Sequence, residues 1–173
     1  MRPSVMDPFF SWIEASALST WLRESPSLLA FPFVLILHTV GLAFLVGANV
    51  ALDVRVLGLA RGVPLPTLER YSLVMWSGFW LNAASGVLLL IAYPTKALTN
   101  PLFYVKLALI AIGLGMWTKL WARLRALPVP EAEVLPPRLK ALAVASLVCW
   151  AAGITAGRLL AYTYSRLTQD LIG

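Results

Sequence analysis

The chain has 173 residues, of which 60% are hydrophobic and 13% charged, and its mean hydropathy is +0.79. This composition excludes an ordinary soluble domain and a disordered chain, and it is typical of an integral membrane protein. The formal net charge of +6 does not indicate a nucleic-acid partner, because the basic residues lie beside the apolar segments rather than in a separate basic domain. The single cysteine, Cys149, lies in an apolar segment, so no disulfide within the chain is predicted.

The first segment, residues 7–24, has the pattern of an amphipathic helix. Asp7 followed by Pro8 is a typical helix start, and apolar residues then recur at helical spacing. The segment is too polar to cross a membrane, whereas Trp12 and Trp21 suit the headgroup layer. We predict an interfacial helix that lies flat on the membrane; a soluble arm docked on the bundle is the alternative.

Four later segments are long and apolar enough to cross a hydrocarbon core of about 30 Å, which needs about 20 residues. They are residues 28–52, 71–92, 102–120 and 141–163. The chain has no internal repeat and no room for a second globular domain. We therefore predict an all-α fold: one integral membrane domain over residues 1–173, built as a four-helix bundle with an N-terminal amphipathic interfacial helix.

Basic residues are distributed unevenly between the two predicted membrane surfaces. The first and third loops hold three and five Lys or Arg residues, eight together, whereas the N-terminus, second loop and C-terminus hold four. By the positive-inside rule the first and third loops are cytoplasmic. We therefore predict a multi-pass protein of the inner (plasma) membrane with both termini outside the cytoplasm.

The first span carries a polar seam that includes the only histidine of the chain. At about 100° per residue, His38, Gly41, Asn49 and Asp53 fall within one sector of roughly 120°. A polar seam in lipid is tolerated only where another helix, a cofactor or water satisfies it. We therefore expect the other spans to face this seam.

The second span carries a strip suited to close helix contact. Its small and polar members are Gly78, Asn82, Ser85 and Gly86.

Three ionisable residues are predicted to lie in the outer half of the bilayer. His38 is about 22 Å from the inner boundary at Asp53, Lys106 is about 8 Å below the outer start of its helix, and Arg158 is about 27 Å from Lys140. Charges at such depth usually face a partner, a cavity or a ligand. Two cations without an acid nearby indicate an anionic guest, and a b-type haem fits. His38 would be the axial metal ligand, and Lys106 and Arg158 would neutralise the propionates.

Other roles for these three residues stay open. A lone histidine in a span is often a hydrogen-bonding core residue, and Lys106 and Arg158 could simply extend to the headgroups. Because the chain has one histidine, the sixth iron position would be open, taken by deprotonated Lys106, or filled from a second subunit. A homo-oligomer or a larger membrane complex is therefore considered.

Two alternative functions need no cofactor. One is an accessory or scaffold subunit of a larger membrane complex, which the GxxxG spacing of Gly153 and Gly157 favours. The other is a small transporter that uses the polar seam together with Asn82 as its path.

The sequence around these residues resembles small bacterial membrane proteins with four spans. Three segments carry this resemblance: HTVGLAFLVGANVALDVRVLG from His38, SGVLLLIAYP at the end of the second span, and NPLFYVKLALI in the third. They are similar to an uncharacterised bacterial four-span family and, more distantly, to the copper resistance D-like and HemJ-type protoporphyrinogen oxidase families. The HemJ-type resemblance matches His38, Arg55 and Lys106. It implies a b-type haem. We therefore expect a small haem protein of the bacterial inner membrane that serves electron transfer or haem handling.

Overall fold

A computed structural model of the protein describes residues 7–60, 62, 64, 68–126 and 135–169. In these ranges the fold is all-α, as predicted. Seven helices follow one another along the described chain: α1 (Asp7–Glu14), α2 (Ala17–Glu24), α3 (Phe31–Leu57), α4 (Leu68–Ala92), α5 (Pro94–Leu98), α6 (Pro101–Arg125) and α7 (Pro137–Gln169). Parts of the first and third loops, on which the predicted orientation depends, lie outside the described residues.

Four of these helices, α3, α4, α6 and α7, are long and apolar enough to cross a membrane. The prediction of a multi-pass membrane protein with four spans is thereby confirmed. The helices run past the predicted spans at the basic end of the bundle, because arginine and lysine do not interrupt a helix. Helix α3 continues to Leu57 and is capped by Gly58. Gly58 has a left-handed φ of 87°, and its N–H bonds to carbonyls of the last turn.

The N-terminal segment is divided into two helices instead of one. Ser16 ends the continuity and caps α2, since its hydroxyl accepts a hydrogen bond from the Ser19 N–H at 3.3 Å. The Arg23 guanidinium donates to the Ala92 carbonyl at the end of α4, 3.2 Å away. The segment is thus docked on the bundle, and Trp12 and Trp21 are exposed. Its position at the membrane interface stays a prediction.

The four long helices form two antiparallel hairpins. Helix α3 packs along α4, α6 packs along α7, and the hairpins meet mainly through α3 and α7. The largest hydrophobic core lies where the hairpins meet. Its buried members include Leu45, Leu52, Val56, Met75, Trp117, Leu120, Ala143 and Trp150.

The α3–α4 hairpin is closed by a direct backbone contact at two glycines. A Cβ atom on Gly78 would lie 2.5 Å from the backbone nitrogen of Leu45, and one on Gly41 would lie 2.6 Å from that of Asn82. No side chain fits between the helices here, so the two backbones touch. This contact places His38, one turn before Gly41, directly against the strip predicted on α4.

We predict that Gly78→Ala destabilises the protein by about 1–3 kcal/mol, because the added methyl group must push α3 and α4 apart. The matched control is Gly47→Ala in α3, where an added Cβ meets nothing within 4 Å. Its stability should be unchanged or slightly higher, since alanine favours a helix over glycine. Unfolding in detergent measures both variants, and equal stabilities for the two would contradict the close contact.

Candidate functional site around His38

The ring of His38 is oriented by α4. Its Nδ1 atom lies 3.0 Å from the carbonyl oxygen of Asn82 and 3.2 Å from the hydroxyl oxygen of Ser85. Because a carbonyl oxygen only accepts, the proton is assigned to Nδ1, which donates to Asn82. The Ser85 hydroxyl donates back to the Leu81 carbonyl at 2.6 Å and therefore stays in place as an acceptor. In the neutral imidazole, the lone pair is then on Nε2.

Asn82 also holds the backbone of His38. Its side-chain Nδ2 atom donates to the His38 carbonyl oxygen at 2.8 Å and lies 3.5 Å from Nε2. Gly86 leaves room for the ring, since a Cβ there would lie only 3.2 Å from the His38 Cε1 atom. Asn82, Ser85 and Gly86 of α4 together therefore form the surface on which the His38 side chain packs.

Lys106 contacts the Nε2 side of the His38 ring, opposite the Asn82 carbonyl. Its Nζ atom lies 3.4 Å from Nε2, although the lysine belongs to α6 in the other hairpin. The lysine stem runs over Gly157 of α7, where a Cβ would lie 3.6 Å from the lysine Cδ atom. Because α6 packs chiefly on α7 and not on α3, the long lysine side chain spans the space between the hairpins. The structure thus joins His38 and Lys106, which are 68 residues apart in sequence.

Arg158 is at the level of Lys106 but on another side of α7. It directly follows Gly157, so it is turned by about 100° around the helix axis from the residue that faces Lys106. Arg158 is exposed, and among the described residues no hydrogen bond or ion pair joins it to His38 or Lys106. Of the three residues proposed from the sequence, the structure therefore brings two together.

The rest of the polar seam is buried farther along α3. Asn49 and Asp53 are each 1% exposed, and the Asn49 side chain donates to the Leu45 carbonyl of its own helix at 2.7 Å. Asp53 lies beside Ser146 of α7. The expectation that the seam faces protein is confirmed. Sequence reasoning missed Ser146, which is one of three Ser or Thr residues in the last predicted span and is not distinguished from Thr155 and Thr163 by the sequence.

Protein side chains alone do not form a metal centre here. Within the described parts of the chain, no group of three or more His, Cys, Asp or Glu residues is placed to hold a metal ion. A metal at His38 would therefore have to bring most of its ligands with it, as the iron of a haem does. Comparison of the chain with protein-family models, curated proteins and solved structures finds no match.

We predict an energetic coupling between His38 and Lys106. In a double-mutant cycle of His38→Ala and Lys106→Met, the change in unfolding free energy should depart from additivity by about 0.5–3 kcal/mol, as for other residues in contact. The control cycle replaces Lys106→Met by Arg158→Met and should be additive within about 0.5 kcal/mol. Unfolding in detergent supplies the free energies, and equal coupling in the two cycles would argue against the contact.

Proposed function

We propose that this multi-pass membrane protein binds a b-type haem in the outer half of the bilayer, for electron transfer or haem handling, with His38 as the axial ligand of the iron. The observation that carries the proposal is the hydrogen bond from His38 Nδ1 to the Asn82 carbonyl. Metal-binding histidines commonly donate their other ring N–H to a carbonyl or carboxylate, which fixes the tautomer and the ring orientation. His38 has this arrangement, and its Nε2 atom is directed to the neighbouring hairpin.

The position of Nε2 supports the proposal. This atom faces the space between the two hairpins, where the Lys106 Nζ atom lies 3.4 Å away. A haem bound at Nε2 would replace this contact, so Lys106 would have to move aside. The close contact of α3 with α4 at Gly41 and Gly78 does not involve Lys106.

Lys106 has two possible roles toward the haem, and they differ in its charge. A neutral amine would occupy the sixth position of the iron, whereas a protonated amine would turn away and neutralise a propionate. Arg158 would reach a propionate only at the edge of the ring, since it lies on the exposed side of α7. The two roles of Lys106 predict different absorption spectra for Lys106→Met.

Absorption spectra test the proposal on protein purified from haem-replete cells, oxidised and then reduced with dithionite. We expect a reduced b-type spectrum for the wild type and its loss in His38→Ala. Lys106→Met should keep the haem, with altered absorption bands if the lysine is the sixth ligand and unaltered bands if it binds a propionate. Thr39→Val, at an exposed position of α3 next to His38, is the control and should retain both haem and band positions.

Two results would contradict the proposal. A featureless spectrum of folded wild-type protein would exclude the haem, and the accessory-subunit interpretation would then take its place, tested by copurification of partners. Haem that persists unchanged in His38→Ala would exclude His38 as its ligand.

A further inference from the structure

A second polar site lies in the other half of the first span, at Asp53. Asp53 follows His38 by 15 residues, or about 22 Å along the helix axis. The residue is 1% exposed, and Ser146 of α7, which lies beside its carboxyl group, is 0% exposed. Among the residues that the structure describes, neither the Oδ2 atom of Asp53 nor the hydroxyl oxygen of Ser146 makes a hydrogen bond, although the serine O–H is a donor beside the carboxyl group. Two adjacent, buried oxygens on facing helices are therefore unsatisfied.

This arrangement is unusual for a folded protein. Buried polar atoms nearly always have hydrogen-bond partners, and an ionised carboxylate without one is especially unfavourable in apolar surroundings. The neighbouring buried residues Leu52, Val56 and Ala143 are apolar. The amide of Asn49, one turn earlier on the same face of α3, donates to the Leu45 carbonyl. Arg55, two residues along α3, leaves the helix on another side, because residues two apart do not face each other. These side chains therefore supply the Asp53 carboxylate with no positive charge.

The chemistry of the two groups defines what they can bind. The carboxylate offers lone pairs, and the Ser146 hydroxyl can accept as well as donate, so together they fit an electron-pair acceptor. One carboxylate supplies one negative charge, and a divalent ion would leave a net positive charge in the apolar interior. The unpartnered indole N–H of Trp150 does not belong to the site, because its ring lies against Gly113 of α6.

We propose that Asp53 and Ser146 bind one small monovalent cation, either a proton or an alkali ion such as Na⁺. The site is four residues from the end of α3 at Leu57, about 6 Å along the axis, so this end of the bundle is the nearer surface for the cation. In the membrane such a site gives the protein a group that is loaded and unloaded from one side, independently of the haem site proposed at His38.

Other titratable groups at this end of the helices packed on α3 are more exposed than Asp53. They are Glu69, Arg70 and Tyr71 of α4 and Arg138 and Lys140 of α7. Glu69 pairs with Arg125 at 3.2 Å on the surface. Among the acidic side chains that the structure describes, Asp53 is the one that is buried. Glu69 therefore serves as the matched control for a test of Asp53.

The first test uses dicyclohexylcarbodiimide, an apolar reagent that modifies protonated carboxyl groups in membranes. The full-length protein is labelled at several pH values with and without Na⁺, and the modified residue is identified by peptide mass. We expect label on Asp53 in the wild type and in Glu69→Gln, and none in Asp53→Asn. Protection by Na⁺ identifies an alkali ion as the ligand. A fall in labelling as the pH rises, with no effect of Na⁺, identifies a proton.

The second test measures the melting temperature in Na⁺ and in a bulky organic cation, over the same pH range. Binding stabilises the folded state, so the ligand identified by labelling should raise the melting temperature of the wild type. Ser146→Ala keeps the carboxylate and should weaken the apparent binding several-fold, which gives a result even if Asp53→Asn does not fold. Labelling and melting that respond to neither Na⁺ nor pH would overturn the proposal.

The same measurements on His38→Ala separate this proposal from the haem proposal. The response of Asp53 should be the same in that variant as in the wild type. A response lost in His38→Ala would show that the two sites are not independent.

Discussion

The close contact between α3 and α4 at Gly41 and Gly78 is the constraint on which the rest of the structure depends. Lipid does not drive helices together as water does, so packing of small residues must hold the hairpin. At this distance the α4 backbone itself reaches the histidine, and the Asn82 carbonyl accepts the Nδ1 proton. A larger residue at either glycine would therefore disturb the ring of His38 as well as the packing.

Helix α3 is the common element of the two polar sites, and the second hairpin completes each of them. Lys106 of α6 reaches His38, and Ser146 of α7 lies beside Asp53. The two sites differ in how many of their polar atoms have hydrogen-bond partners. Within the described part of the chain, His38 has polar partners on two sides, whereas the Oδ2 atom of Asp53 is buried without a hydrogen bond. The apolar interior penalises such an unsatisfied group, which is why the two sites are proposed to bind different species.

Much of the architecture could be predicted from the sequence because it depends on local chemistry. Apolar runs of membrane length predicted four spans. The third, predicted from residue 102, begins as α6 at Pro101, where the Asn100 side chain caps the helix by accepting from the Leu102 N–H. Other features depended on contacts distant in sequence. The docking of residues 7–24 on the bundle is one of them, since Glu14 accepts from the Thr95 hydroxyl and Arg23 donates to the Ala92 carbonyl.

The sequence by itself determined the helical class, the number of spans and the polar seam on α3, because periodicity and length are properties of each segment alone. It also indicated that His38, Lys106 and Arg158 lie at similar depth, since the rise per residue converts sequence position into depth. Only the tertiary structure decided that Lys106 faces His38 while Arg158 is turned outward, and that Ser146 is the neighbour of Asp53. The rotation of each helix about its axis is set by packing against other helices, and no single segment carries that information.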